Sequence, residues 1–296
     1  MMHDYLRAIG FSNLKKNKDV RDVINLVMLR PTSEYIAPSS DEEVVFGEKV
    51  KEFASRMGIT VRGEYEDNGN FHFGYYLPYF KGKHSTFKEE VTIEKQSDRD
   101  AYSGICDNVK VGVSLIFQLL NMSDYLEYME FHKGSSFFTP ISLSGLSISG
   151  KIILPVLKTN EEIIRKKAES ISRDHMIAAA REGDQEAIES LTLEDIDLYA
   201  SISRRSKTED ILTIVESYFM PYGIACDQYS IMGDILSVER VQNVLTEEYV
   251  YILTLECNDL IFDICINKED LLGEPMPGRR FRGVVWMQGL VDFMNL

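Results

Sequence analysis

Cysteine, proline and tryptophan are scarce in this sequence, which has 4, 8 and 1 of them among 296 residues. The cysteines form neither a C-x-x-C pair nor a zinc-type spacing, so the pattern predicts no disulfide framework and no zinc site. Low proline content and 44% hydrophobic residues are typical of globular proteins rather than of disordered or collagen-like chains. This cysteine usage fits a reducing compartment best.

Long apolar runs are also missing. Charged residues interrupt the first 30 positions throughout, which leaves no apolar core for a signal peptide. The most apolar stretch, residues 111–120, contains Gln118 and has about half of the roughly 20 residues that a membrane span needs. We expect this stretch to form a buried helix, and the protein to be cytoplasmic without a membrane partner.

Short catalytic and metal-binding motifs are absent from the sequence. It contains no G-x-S-x-G, no G-x-x-x-x-G-K-[ST] and no G-x-G-x-x-G after a strand, which disfavours serine hydrolases, P-loop NTPases and Rossmann dehydrogenases. The histidines show neither H-x-x-x-H nor H-E-x-x-H spacing. The sequence therefore predicts no metal and no cofactor, and leaves open whether the protein is an enzyme.

Basic residues are outnumbered by acidic ones, 32 to 47, so the net charge is −15. Residues 1–157 hold 18 basic and 21 acidic residues, and residues 158–296 hold 14 and 26, so the halves carry −3 and −12. Binding to phosphate backbones needs clustered Lys and Arg. We therefore expect no nucleic acid partner.

The hydrophobic pattern predicts an α+β protein whose residues 1–157 form an antiparallel-sheet domain with helices. In that part we predict a helix over 20–29 with one apolar face, a hairpin over 60–77, and a strand over 89–95. The type of residues 43–56 is ambiguous. Further along we expect helices over 109–120 and 124–131 and a pair of strands within 136–157.

Residues 158–222 are predicted to form a helical connector. A helix runs from Asn160 to Glu182 and ends at Gly183, and capping-box spacings at Thr192 and Ser206 predict two more helix starts. In residues 223–296 the pattern predicts strands over 228–242, 248–257, 260–266, 280–287 and 290–294. A two-residue turn at Asn258-Asp259 joins the second strand to the third. This order favours a small OB-like β-barrel, and an SH3-like barrel or a curled sheet is the alternative.

One candidate site lies on the 60–77 hairpin. A three-residue loop over 68–70 pairs Asp67 with Phe71 and puts Val61, Gly63 and Tyr65 on a core face with Phe71, Phe73, Tyr75 and Leu77. A polar set lies on the other face, with Glu66 opposite His72. Such a set could orient a proton-transferring histidine. The alternative is an ordinary solvated sheet face, since charged outer faces are the rule for half-buried sheets. The polar set is Arg62, Glu64, Glu66, His72 and Tyr76.

A second candidate site is a basic cluster near the only tryptophan, formed by Arg279, Arg280, Arg282 and Trp286. In an OB-like barrel this cluster would lie near the ligand-binding loops and would suit a phosphate or carboxylate. Residues 223–296 nevertheless carry 5 basic and 12 acidic residues, so neutralising nearby carboxylates is the alternative role.

Four segments carry a resemblance to a known family: MHDYLRAIGFSN (2–13), AAREGDQEAIESLTLEDID (179–197), FMPYGIACDQYSIMGDI (219–235) and LTLECNDLIFDICINKEDLLGEPMPGRRFRG (253–283). Together they resemble an uncharacterised family of proteins of about this length from anaerobic Gram-positive bacteria. The resemblance spans the chain and implies a bacterial cytoplasmic protein of unknown function. It assigns no catalytic residue.

Three hypotheses about function follow. The first is a non-enzymatic binding or interaction protein that engages another protein. The alternative is an enzyme or small-molecule binder that uses the 60–77 hairpin face, which a deep pocket lined by its polar set would favour. Binding of single-stranded nucleic acid by the barrel has aromatic side chains in its favour and the net charge against it.

Overall fold

The computed structural model describes residues 4–14, 16–38, 45–96, 101–108, 113–155, 160–181 and 183–294. In these ranges the chain forms helices and many strands, which confirms the expected mixed α+β class. The α-helices are α1 (Asn17–Leu29), α2 (Met122–Phe131), α3 (Asn160–Arg181), α4 (Gln185–Arg205) and α5 (Ile211–Ile214), and 3-10 helices span Asp4–Ile9 and Lys268–Asp270. The strands are β1 (Ser33–Pro38), β2 (Val45–Ala54), β3 (Met57–Tyr65), β4 (Phe71–Phe80), β5 (Phe87–Lys95), β6 (Tyr102–Asp107), β7 (Ser114–Leu119), β8 (Ser136–Ile153), β9 (Tyr218–Pro221), β10 (Gln228–Gln242), β11 (Tyr249–Cys257), β12 (Leu260–Asn267), β13 (Leu271–Leu272) and β14 (Arg280–Val291).

The smaller sheet contains β1 to β4, antiparallel and in chain order. Helix α1 packs on one side of it through the predicted apolar stripe, with Val20, Val23, Ile24 and Val27 buried. We call this side the α1 face. On the other side Met122 of α2 joins a small apolar cluster with residues of β1 and β2, so we call it the α2 face.

The larger sheet closes on itself twice because β8 and β14 are long and pair with each other along most of their length. One ring runs β8-β12-β11-β10-β14, and the other runs β8-β5-β6-β7-β14. All pairs in these rings are antiparallel except β12 with β8 and β14 with β7. One buried hydrophobic cluster contains side chains from both rings, among them Phe117, Phe262 and Phe281.

Two predicted pairs of strands are in fact single strands. Residues 136–153 form β8 alone, and residues 280–291 form β14 alone, so the predicted breaks are wrong. Gly150 belongs to a turn-like Ser-Gly dipeptide and Gly289 lies in the predicted break over 288–289, but both are inside strands. A Cβ on Gly150 would come within 2.4 Å of the Phe281 ring, and one on Gly289 within 2.5 Å of the Phe117 ring. These glycines make room for buried aromatic rings.

The predicted helix over 109–120 is also wrong where the structure describes it. Residues 114–119 form β7, which pairs with β6, and residues 109–112 lie outside the described ranges. A short apolar run cannot be assigned to helix or strand by periodicity alone. The ambiguous stretch before it, residues 43–56, contains β2.

The predicted hairpin at Asn258-Asp259 is confirmed. Both turn residues have positive φ, 50° and 58°, as a two-residue turn of the primed type requires. The register pairs Ile252 with Cys265, as predicted. Asn267 caps the short helix that follows by accepting a hydrogen bond from the Glu269 backbone N–H.

Helices α3 and α4 form a hairpin between β8 and β9. Gly183 ends the first helix with φ 92°, as predicted. The predicted helix start at Thr192 is wrong, because α4 is continuous from its cap at Asp184 and the Thr192 hydroxyl donates to the Ile188 carbonyl inside it. The next helix is capped by Asp210 rather than by Ser206.

Arg280 holds the two ends of this helical segment together. Its guanidinium is buried and donates to the Leu154 carbonyl, which follows β8, at 3.0 Å and 3.2 Å. It also donates to the Val215 carbonyl, which follows α5, at 3.3 Å. One side chain of β14 therefore fixes both the exit and the return of the chain.

We expect Arg280→Met to loosen the region where the helical segment leaves β8 and returns to the sheet. Hydrogen bonds to a charged donor contribute about 1.5–3 kcal/mol, so local opening should speed amide hydrogen exchange on the order of tenfold or more in residues 211–217. Arg279→Met is the matched control, because Arg279 donates only within its own loop, to the Glu274 carbonyl. Equal exchange in the two variants would contradict the role assigned to Arg280.

Arg62 joins the small sheet to the rings. Its side chain is 1% exposed, donates to the carboxylate of Glu48 at 2.6 Å, and donates to the Leu120 carbonyl beyond β7 at 2.6 Å. Longer hydrogen bonds reach the Leu119 carbonyl and the Tyr75 hydroxyl. A buried guanidinium with a carboxylate partner and carbonyl acceptors is a satisfied charge, so it can bridge two sheets.

Replacing Arg62 by Met should lower the free energy of unfolding by about 3–5 kcal/mol, because Glu48 would stay buried without its partner. Urea unfolding measures this change. Arg173→Met is the control, because Arg173 forms partly exposed pairs with Glu194 and Asp195 between α3 and α4 and its loss should cost less than about 1 kcal/mol. The account fails if the two variants lose similar stability.

A second connection lies between the hairpin turn of β2–β3 and the ring. Arg56, which has φ 64°, donates to the Asp263 carboxylate on β12 at 2.8 Å. Burial alone would raise the pKa of Asp263, but hydrogen bonds from the Lys83 backbone N–H and from Arg56 lower it below its ordinary value. The small sheet is thus joined to the rings at two separate points, through Arg62 and through Arg56.

Candidate functional site

The end of the β3–β4 hairpin has a different register from the predicted one. The Glu66 backbone N–H donates to the Asn70 carbonyl at 3.1 Å, and Tyr65 lies opposite Phe71. The predicted register paired Asp67 with Phe71. A shift of two residues keeps every side chain on its side of the sheet, so the predicted faces survive near the turn.

A β-bulge at Gly74 changes the faces further along. Arg62 lies opposite Tyr75 and Gly63 opposite Phe73, which leaves Gly74 as an extra residue on β4. The predicted polar set is therefore divided. Glu64 and His72 share the α2 face with Arg62, whereas Tyr76 pairs with Val61 on the α1 face. The prediction that Tyr76 shares their face is wrong because the extra residue inverts the alternation.

Two clefts flank this part of β4, one on each face. The α1-face cleft has a volume of about 430 Å³ and lies between α1 and β4. Its lining residues are Asn17, Val20, Arg21, Ile24, Asn25, Met28, Phe73 and Tyr76. The α2-face cleft has a volume of about 290 Å³. Its lining residues are Phe46, Arg62, Gly63, Glu64, His72, Phe73, Gly74 and Tyr75.

Carboxylates dominate the charge at the α2-face cleft. The charge of Arg62 is matched by Glu48, and no described residue forms an ion pair with Glu64. Glu66 accepts a hydrogen bond from the Asn68 side chain and contacts His72 Nε2 at 2.8 Å, and these two partners lower the pKa of Glu66. Glu66 therefore stays ionised beside an exposed histidine.

The α1-face cleft is mostly apolar. Val20, Ile24 and Met28 of α1 face Phe73 and Tyr76 of β4. Burial, together with the nearby negative charge of Asp4, raises the pKa of Tyr76 to about 12, so its phenol stays protonated at neutral pH. The polar groups of its lining are the Tyr76 hydroxyl and the side chains of Asn17, Arg21 and Asn25 on α1.

The free edge of β4 is covered at one end and open at the other. Gln288 of β14 donates to the Pro78 carbonyl at 2.9 Å and accepts from the Phe80 N–H at 3.0 Å. Ser144 of β8 donates to the Phe80 carbonyl. Residues 71–74 have no strand on this side within the described part of the chain.

The backbone pattern shows which groups point to the open edge. Glu66 and Asn70 form a hydrogen-bonded pair, and such pairs alternate with non-bonded ones along an antiparallel ladder. His72 therefore points its N–H and C=O toward β3, while Phe71 and Phe73 point theirs outward. The Phe73 side chain is 48% exposed and lines both clefts.

The residues of the predicted basic cluster make contacts within the protein. Arg280 is buried in the contacts described above, and Arg282 donates to the Tyr218 hydroxyl at 2.9 Å. Trp286 is 5% exposed and donates to Asp227 at 2.7 Å. With Arg279 engaged in its own loop, these side chains serve contacts within the protein, and a ligand role for them stays a prediction.

Sequence reasoning missed several residues of the two clefts. It placed Phe73 and Tyr75 in the core, and it did not connect Phe46 or the polar residues of α1 with the hairpin. The signal for the face change was Gly74, because a glycine inside a strand pattern often marks a bulge. The contribution of α1 has no local signal, because it depends on how the helix lies across the sheet.

Two other kinds of site are missing from the described residues. They contain no group of three or more His, Cys, Asp or Glu side chains placed to hold a metal ion. None of their helices combines the length and apolar character that a membrane crossing requires.

The fold and site define a mixed α+β protein that carries a strand edge between two clefts. The chain belongs to the family described as "Domain of unknown function, E. rectale Gene description (DUF3881)", whose model matches residues 6–289. This confirms the expected membership of an uncharacterised family. No curated protein and no solved structure matches the chain.

Proposed function

We propose that this protein is a non-enzymatic interaction protein that binds an extended segment of a partner protein at the open edge of β4. One observation carries the proposal: outward-pointing backbone groups at Phe71 and Phe73 lie between clefts on both faces. A segment that adds to a sheet edge gains main-chain hydrogen bonds, and pockets for its alternate side chains give specificity.

The composition of the edge supports this proposal. Proteins usually protect exposed strand edges with lysine, proline or a covering element, because bare edges promote aggregation. Residues 71–74 carry two phenylalanines, a histidine and a glycine, and have neither lysine nor proline. Burial of this aromatic edge by a partner removes that hazard.

The finer expectations about fold and location also belong to this proposal. We propose that β8-β12-β11-β10-β14 is an OB-like barrel in which β8, from the N-terminal half, supplies one strand beside four from residues 223–296. The closed five-strand order and the short helix after β12 support it. We keep the predicted domain layout in this proposal with one change, since β8 of residues 1–157 joins the barrel of residues 223–296. We further propose a cytoplasmic protein, and the net charge of −15 supports the absence of a nucleic acid partner.

A small-molecule binder or enzyme is the second candidate, because the α2-face cleft gathers Arg62, Glu64 and His72 as that hypothesis requires. Such a ligand would depend on His72 and Glu64 side chains. It would not depend on the outward backbone N–H of Phe73.

A displayed library of random twelve-residue peptides tests the proposed function. We expect peptides selected on the wild-type protein to bind Phe73→Pro at least about tenfold more weakly, because proline removes the outward N–H and places its ring at the edge. Phe73→Ala, which keeps the N–H, should weaken binding less. Proline is tolerated at an edge position whose N–H faces solvent, so the variant should stay folded.

N-methylation of the selected peptide provides a second readout. Methyl groups on one set of alternate backbone nitrogens should abolish binding, and methyl groups on the other set should leave it nearly unchanged, because only one set faces β4. The proposal is overturned if no peptide is selected, if Phe73→Pro binds as the wild type does, or if both methylation patterns act alike.

A further inference from the structure

We infer that the partner segment alternates apolar and basic side chains, with the apolar ones in the α1-face cleft and the basic ones in the α2-face cleft. This inference rests on the proposed function, since it describes the segment that the β4 edge would take. Successive side chains of a strand point to opposite faces, so a segment added at the edge sends alternate residues into the two clefts.

The α1-face cleft fits an apolar side chain. Its walls are Val20, Ile24 and Met28 on α1 and the rings of Phe73 and Tyr76 on β4. Its volume of about 430 Å³ accommodates a large aliphatic or aromatic side chain. The guanidinium of Arg21 and the nearby carboxylate of Asp4 have opposite charges, so the apolar walls determine what this cleft accepts.

The α2-face cleft fits a cation. Glu64 lines it, and the ionised Glu66 lies beside His72 at its mouth. The one buried cation nearby, Arg62, is neutralised by Glu48 at 2.6 Å and therefore leaves the carboxylates in excess. The rings of Phe46 and Tyr75 offer faces to a lysine or arginine head group.

The pattern of the segment, rather than its total charge, is the distinguishing feature. A protein with a net charge of −15 attracts any basic peptide weakly and without regard to order. Two clefts on opposite faces of one strand edge require cations and apolar groups at alternate positions. A peptide of the same composition in a different order satisfies one cleft at most.

Three synthetic nonapeptides test this inference by fluorescence anisotropy at physiological salt. The first alternates lysine and valine, the second has the same residues in two blocks, and the third alternates glutamate and valine. We expect the first to bind at least about tenfold more tightly than either of the others, and Phe73→Pro to remove this advantage. The double variant Glu64→Gln/Glu66→Gln should reduce the preference for lysine over glutamate at least about tenfold, to the weak level that the net charge of the protein sustains.

Glu94→Gln is the matched control, because Glu94 is an exposed strand residue on β5, away from the hairpin. It should leave the lysine preference unchanged. Equal binding of the alternating and block peptides, or a lysine preference as large in Glu64→Gln/Glu66→Gln as in the wild type, overturns the inference. If peptides still bind and Phe73→Pro abolishes that binding, the proposed function stands although the inference about the alternating pattern falls. If no binding depends on Phe73, the proposed function falls as well.

Discussion

The buried contact of Arg62 with Glu48 and the Leu120 carbonyl determines how the two sheets of this protein fit together. It places a charge-matched side chain of β3 against the end of β7, where no apolar residue could satisfy the carbonyl groups. Removal of either charged partner leaves the other buried in a medium of low polarity. The small sheet therefore has one favoured position on the rings, and Arg56 with Asp263 secures it at a second point.

This position divides β4 into two parts with different surroundings. The inner part lies against β8 and β14, whose Ser144 and Gln288 side chains satisfy its edge. The outer part extends past the rings, and the bulge at Gly74 lets Phe73 reach both faces. The open edge and its clefts thus arise from the same constraint that holds the sheets together, and the region that we propose binds a partner is held by a rigid scaffold.

Local sequence signals predicted the elements whose structure depends on neighbours in the chain. The apolar stripe of α1, the Asn258-Asp259 turn and the end of α3 at Gly183 are such cases. Gly150 and Gly289 misled the prediction because their role is to accommodate rings from distant strands. The partners of Arg62 could not be predicted, since Glu48 lies in a stretch of ambiguous type and the carbonyl acceptors lie in a run that was predicted to be helical. The polar set of the 60–77 hairpin was predicted from the sequence. Its division between the α1 face and the α2 face was not, because it depends on one extra residue, Gly74.

If the outer part of β4 is a free edge on a fixed scaffold, residue-resolved hydrogen exchange of the unliganded protein should show it. The amide of His72, which points toward β3, should be protected from exchange. The amides of Phe71 and Phe73, which point outward, should exchange on the order of a hundredfold faster or more, because only a hydrogen-bonded amide must wait for local opening. Equal protection of Phe73 and His72 would show that the edge is already occupied and would contradict the account.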